Sequence, residues 1–169
     1  MYFSKFPLMA YDIKGNKSYK LLPDILRRVK LRSSLSSSRF VFDKYNVKEG
    51  EKPEDIAFKY YGDAQYHWVV MMANNLTDRY YEWPMTQPDF ADFLTDKYGA
   101  GNEYAIKYYV TSDAAELVVH SSYAGAKLPV TNTDYEEQIN DAKRRIKILN
   151  TKFVPNFVND FNEVLVNGN

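Results

Sequence analysis

A chain of 169 residues with 45% hydrophobic positions can bury a core, and with charges on 26% of positions set among those apolar residues it does not read as a disordered chain. The absence of cysteine excludes disulfide staples and thiolate metal sites, and no apolar run reaches the roughly 18 residues that a membrane helix needs. Formal net charge is zero, yet the signs are segregated: seven bases face Asp24 alone between Lys17 and Arg39, and eleven acids face four bases between Glu49 and Glu103.

A basic arm beside an acidic body suits either a polyanion or an acidic protein surface. Nucleic acid is disfavoured, because a neutral total supplies no broad positive field. Fifteen Tyr, ten Phe and two Trp are more than a core of this size hides easily. Tyr tolerates a half-wet setting, so the excess fits a protein interface or the edges of a Tyr-rich core, and composition does not separate the two.

In chain order, Met1-Tyr2-Phe3-Ser4-Lys5-Phe6-Pro7 lacks a charged region followed by an apolar one and reads as no secretory signal. Residues 1–23 read as irregular, punctuated by Pro7, Gly15 and Pro23. Asp24 can cap a short helix over 25–31 with Ile25, Leu26 and Val29 as its stripe, and the serine run 33–38 reads as a turn or joint. Residues 40–47 alternate like a strand around Phe40 and Phe42. After the turn Lys48-Glu49-Gly50-Glu51, Pro53 sits as the first residue of a helix that Gly62 ends in a left-handed cap. A second helix over about 65–74 buries Trp68, Val69, Met71 and Met72.

Residues 80–83 read as a short strand stopped by Pro84. Thr86 and Asp89 open a helix that carries Phe90, Phe93 and Leu94 and ends near Gly99. Residues 104–110 and 117–122 predict a β-hairpin around Ser112-Asp113-Ala114. Thr133 with Glu136 predicts a capping box, and its helix runs on through Ile139, Ala142, Ile146 and Leu149. Pro155 starts a last helix, where Phe153, Phe157, Phe161 and Leu165 recur every four residues. That stripe either packs on the body or lies in a partner's groove.

Catalytic patterns do not emerge. His67 and His120 have no second ligand at zinc-site spacing and read as surface residues. Gly-x-Ser-x-Gly and a phosphate-binding Gly-x4-Gly-Lys are missing from the sequence. Gly99-Ala100-Gly101-Asn102-Glu103-Tyr104 begins like a dinucleotide fingerprint, but it lacks the third Gly and follows a helix where a strand is required. Asp92 and Asp96 lie one helical turn apart and read as a solvated face. The chain reads as a non-enzyme without cofactor or metal.

Residues 40–85 run strand, helix, helix, strand. They hold Tyr45-Asn46-Val47-Lys48-Glu49-Gly50-Glu51-Lys52-Pro53-Glu54-Asp55-Ile56-Ala57, then Tyr60-Tyr61-Gly62-Asp63, then Trp68-Val69-Val70-Met71-Met72-Ala73-Asn74-Asn75. This resembles a LysM domain, with its Tyr-x-Val strand, Gly-acid turn, Ile-Ala helix, Tyr-Gly break and second helix ending in Asn. Lys52 stands where that family commonly has a capping Thr or Ser. The resemblance implies binding of N-acetylglucosamine chains at two turns, carried over here onto Gly50, Glu51, Lys52 and Asn74, Asn75, Leu76. A peptidoglycan- or chitin-type glycan-binding protein is therefore the alternative reading.

The wider match points elsewhere. Tyr61 to Asn75, followed by Asp78-Arg79-Tyr80-Tyr81-Glu82-Trp83, resembles the LysM-containing baseplate wedge protein of T-even-type contractile-tailed phages. So do Arg145-Ile146-Lys147-Ile148-Leu149 and Phe157-Val158-Asn159-Asp160-Phe161 near the end, and the aromatic N-terminal segment joined to a basic helix. The resemblance implies a structural part of the virion's tail baseplate, made in the host cytoplasm. Its partners would be core wedge proteins, the sheath-like wedge protein and neighbouring wedges around the hub. The expected fold is α+β: a small LysM-like βααβ module with helical N- and C-terminal extensions and a β-hairpin insertion. Its segments are an arm over 1–39, the module over 40–85, and helix, hairpin and closing helices over 86–169. Contact residues are expected in the basic arm (Arg27, Arg28, Lys30, Arg32), at Tyr80, Tyr81 and Trp83, and along Phe153, Phe157 and Phe161. Tyr81 and Trp83 fit a core equally well.

Overall fold

The computed structural model describes residues 6–26, 29, 31, 40–113 and 115–167. Arg27, Arg28, Lys30, Arg32 and the serine run lie outside the described residues. The elements mix helix and strand, and the fold is α+β. In order they are β1 (Leu8–Tyr11), β2 (Lys20–Pro23), β3 (Phe42–Asn46), α1 (Pro53–Tyr61), α2 (His67–Ala73), α3 (Arg79–Glu82), α4 (Gln87–Tyr98), β4 (Ile106–Thr111), β5 (Val118–Val119), β6 (Lys127–Thr131), α5 (Asn132–Lys143), β7 (Arg145–Leu149) and α6 (Val154–Asn167). The chain divides into two compact units, one drawn from 1–45, 51–79 and 146–169, the other from 46–50 and 80–145.

The first unit opens on an antiparallel hairpin where the sequence predicts irregular chain. Leu8 pairs with Pro23 and Tyr11 with Lys20. Its loop is held by the Asp12 carboxylate, which accepts the backbone N–H groups of Lys14, Asn16 and Lys17. Side-chain capping of this kind builds a turn without a standard two-residue signature. Of the helix expected over 25–31, the described residues show no helical turn: Ile25 and Leu26 form a turn, and Val29 and Leu31 are in no helix, while 27, 28 and 30 lie outside the described residues. Instead of starting a helix, the N–H of Asp24 donates to the Pro7 carbonyl at 2.8 Å and prolongs the hairpin ladder. The described part of the N-terminal extension is thus β, not helical.

α1 and α2 form as the sequence dictates. Lys52 has no side-chain acceptor to cap α1, and Asp55 compensates by accepting the Lys52 N–H at 2.9 Å. Gly62 ends the helix at φ +76°, its N–H on the Phe58 carbonyl. The closing strand differs from expectation. Residues 79–82 are the short helix α3, and β3 pairs with β7. The flanking bonds, Val47 N–H to the Arg144 carbonyl and Asn150 N–H to the Val41 carbonyl, make the pair antiparallel. Residues 145–149 continue no helix. Ile146 and Ile148 are buried while Arg145 and Lys147 are exposed, the period of two that a strand requires.

α6 then covers this unit. Trp68 of α2 lies 6.0 Å from the Phe157 ring and 4.6 Å from the Phe161 ring. Around them, Phe6, Phe42, Val69, Leu149, Val154 and Leu165 complete a buried cluster.

The second unit holds a three-stranded antiparallel sheet in the order β5-β4-β6, where a two-stranded hairpin was expected. The missed strand, β6, contains Pro129, which cannot donate to a ladder and is tolerated at an edge. α4 has the predicted Thr86 start and Gly99 end. α5 starts earlier than predicted: the capping box is Thr131 with Asp134, not Thr133 with Glu136. Trp83, Phe90, Leu94 and Val130 are buried in this unit, as are the polar residues Thr111, Glu136 and Asn140.

Candidate interaction surfaces

The two turns that a LysM ligand would touch are occupied by the chain itself. Glu51 accepts the Tyr45 hydroxyl at 2.8 Å, and Lys59 donates to the same phenol at 3.2 Å. The carboxylate of neighbouring Glu49 accepts the Gln87 N–H at 2.6 Å and an Arg144 guanidinium N–H at 2.7 Å. These two bonds hold its carboxyl below the usual range, the backbone N–H of Gln87 contributing most. Gly50 takes φ +72° to make the turn. At the other turn, the Asn74 amide donates to the carbonyls of Val70 and Lys147, each at 2.8 Å, and its oxygen accepts the Lys147 N–H at 2.7 Å. Asn75 adopts φ +55°, and Leu76 is half-buried. A sugar hydroxyl would have to displace bonds that β7 and α2 already use.

The residues expected to meet partners separate by depth. Tyr80 and Tyr81 are 83% and 76% exposed, whereas Trp83 is buried. The Tyr81 carbonyl accepts Lys143 Nζ at 2.7 Å. Along α6, Phe161 is buried and Phe157 packs partly buried on the core, while Phe153, just before the helix, is half-exposed. The structure therefore brings Phe157 and Phe161 together on Trp68, inside their unit. The basic arm lies outside the described residues.

Sequence reasoning missed an exposed apolar surface in the first unit, the β1–β2 hairpin, where Leu8, Ile13, Tyr19 and Leu21 are all exposed. The signal was present: two short apolar runs, Leu8-Met9-Ala10-Tyr11 and Lys20-Leu21-Leu22-Pro23, flank a loop rich in Asp, Asn and Gly.

The titratable groups of the second unit are arranged for holding. Glu136 of α5 is buried, and burial alone would raise its carboxyl. Lys97 Nζ at 2.7 Å and the Tyr98 hydroxyl at 2.6 Å, both from α4, outweigh that and bring it below the ordinary value. Lys107 of β4 donates to the Tyr98 hydroxyl at 3.0 Å and sits 4.2 Å from the centre of the Tyr135 ring. A general acid needs a carboxyl raised toward the working pH, so this group is a tie between elements. Among the described residues no group of three His, Asp or Glu is placed to hold a metal ion, and no helix is long and apolar enough to cross a membrane. His67 Nδ1 lies 3.1 Å from the Ala64 carbonyl, and His120 Nδ1 lies 2.8 Å from the Ser122 hydroxyl.

Internally bonded turns, structural ion pairs and exposed aromatic and aliphatic side chains define a chain of the structural, assembly-forming class. Comparison with known proteins gives the class its content: the family model described as base plate wedge protein 53 matches residues 1–120, and this chain belongs to that family. It is also similar to the baseplate wedge protein gp53 of Enterobacteria phage T4, at 24% identity over 98% of this chain and 96% of that protein. The chain is a structural component of a phage tail baseplate wedge, and its place is the virion tail.

Proposed function

We propose that the chain acts mechanically and without catalysis, joining wedge proteins and neighbouring wedges around the hub by protein–protein contact. A LysM-like module serves as its scaffold. Residues 40–85 contribute β3, α1 and α2 to that module, and β7 supplies the second strand of its sheet. The arm over 1–39 and the segments over 86–169 extend it, and core wedge proteins and the sheath-like wedge protein are the neighbours it meets. The observation that carries this reading is the engagement of Asn74 and Glu51 inside the fold, beside Tyr80, Tyr81 and Leu21 that stay largely exposed. Polar groups of the sugar-type turns stabilise the module, and apolar surface is left for proteins.

The test is a pull-down of co-expressed wedge proteins with the full chain, beside a titration of chitooligosaccharide. Stable wedge capture without sugar binding is expected. Sugar binding without wedge capture would overturn the reading. Reversal of charge at Arg27 and Arg28 should abolish capture while the circular dichroism spectrum stays unchanged.

A further inference from the structure

The β1–β2 hairpin presents one wholly apolar face to the surroundings. Paired residues share a face of a two-stranded ladder, so the register puts Leu8, Pro23, Ala10 and Leu21 on one side and Met9, Leu22, Tyr11 and Lys20 on the other. The second side is half-covered at Met9. The first is exposed throughout, with Leu8 at 64% and Leu21 at 69%, and it carries no polar side chain. Exposed Ile25 and Leu26 follow directly after the hairpin.

The hairpin is fixed at its base. Phe6 is buried in the core of its unit, and Val29 and Leu31 pack against that same core. A two-stranded hairpin is marginal by itself in water. Here the Asp12 carboxylate shapes the loop through three backbone N–H groups, the shortest bond 2.6 Å. The apolar face is therefore presented preformed, which lowers the ordering cost of docking.

Charge identifies what it fits. Between residues 14 and 32 the bases Lys14, Lys17, Lys20, Arg27, Arg28, Lys30 and Arg32 face Asp24 alone. A uniformly aliphatic face suits neither phosphates nor base stacking, and an anchor of this size holds only marginally to a bilayer. We propose that the β1–β2 hairpin docks in an apolar, acid-rimmed groove of another protein of the wedge. This rests on the wedge-joining reading above and specifies its surface and the partner's chemistry.

The experiment uses the full chain and a sub-wedge made from the same phage's wedge proteins expressed without it. The Leu8→Glu, Leu21→Glu double variant should weaken binding by more than roughly 100-fold, since two apolar side chains are lost and two charges would be buried. The Lys14→Glu, Lys17→Glu variant should weaken binding about tenfold and flatten its salt dependence. Leu128→Glu, on the second unit, should stay within about twofold of the parent chain. Independently, a photo-crosslinking phenylalanine analogue placed at Ala10 should join a wedge-protein segment in which Asp or Glu flanks apolar residues. Binding of the leucine variant within about twofold of the parent overturns the hairpin proposal alone, because the parent chain still joins the wedge. Failure of the parent chain to bind overturns both readings. A crosslink to a second copy of this chain, no crosslink at all, or hairpin-dependent binding to phosphatidylglycerol vesicles also overturns the proposal.

Discussion

Asn74 and Asn140 do the same physical work in different units. Backbone N–H and C=O groups need partners, and a carboxamide offers an acceptor and a donor at nearly peptide spacing. Asn74 satisfies both groups of Lys147, and Asn140 accepts the Met85 N–H at 2.8 Å and donates to the Met85 carbonyl at 3.3 Å. The sequence marked Asn74 as a helix-end residue, and it does bond the Val70 carbonyl. Its second partner lies 73 residues away, a distance that local pattern does not reach. Asn74→Ala should lower stability by about 2 kcal/mol in urea denaturation, because it orphans two backbone groups at once. Asn74→Asp should cost at least as much, since it sets a carboxylate against the Lys147 carbonyl. A loss below about 0.5 kcal/mol would remove the clamp from the account. Glu136 supports a pH prediction. Its folded carboxyl lies below the ordinary value of 4.5, so its stabilisation is present above that value and is lost as pH falls through the folded one. Glu136→Gln should therefore destabilise by about 1–2 kcal/mol at neutral pH. Thermal melts of the two chains should converge in acid. A gap that persists unchanged near pH 3 would mean that the charge is not what Lys97 and Tyr98 hold.

Elements whose ends are written in local chemistry were legible. Pro53 and Gly62 frame α1, and Thr86 and Gly99 frame α4, because caps act within one turn. Strands were less so. Tyr80-Tyr81-Glu82-Trp83 has strand-forming composition, but that propensity expresses fit to a pleated, half-buried surface, and this segment has no ladder to join. Pro84 marked its end correctly for either element, since a helix also stops before proline. Ile146 and Leu149 continued a helical spacing from Ile139 and Ala142, yet both lie in β7, where Ile146 and Ile148 alternate with exposed Arg145 and Lys147 once α5 has ended at Lys143. The stripe of α6 was legible as apolar, while its destination was not: only the fold shows that it lies on Trp68. That destination can be measured. Phe161→Ala should cost about 3–5 kcal/mol, as large buried aromatics do, whereas Phe153→Ala, at a half-exposed ring, should cost under about 1 kcal/mol. Equal and small losses at both would take α6 off the core of its unit.

At the scale of the whole chain, the order of elements in sequence is not the order of packing. The first unit takes β3, α1 and α2 from the middle of the sequence and β7 and α6 from its end, and 46–50 with 80–145 forms the second unit. The α+β class and the baseplate role were carried by local motifs, such as Tyr61-Gly62-Asp63 and Trp68 to Asn75. The interleaving rests on the pairing of β3 with β7 about a hundred residues on, which sequence spacing cannot reveal. Two buried cores predict two responses to damage, and the chain has a tryptophan in each: Trp68 in the first unit and Trp83 in the second. With Trp83→Phe, fluorescence reports the first unit, and with Trp68→Phe it reports the second. Leu165→Ala removes a side chain that is 1% exposed in the first unit and should cost about 2–5 kcal/mol there. Its urea midpoint should fall clearly when Trp68 reports and much less when Trp83 does. Leu94→Ala, buried in the second unit, should give the reverse. Midpoints that move together for both substitutions would show one cooperative transition in place of two, because only a shared unfolding step makes the two probes coincide.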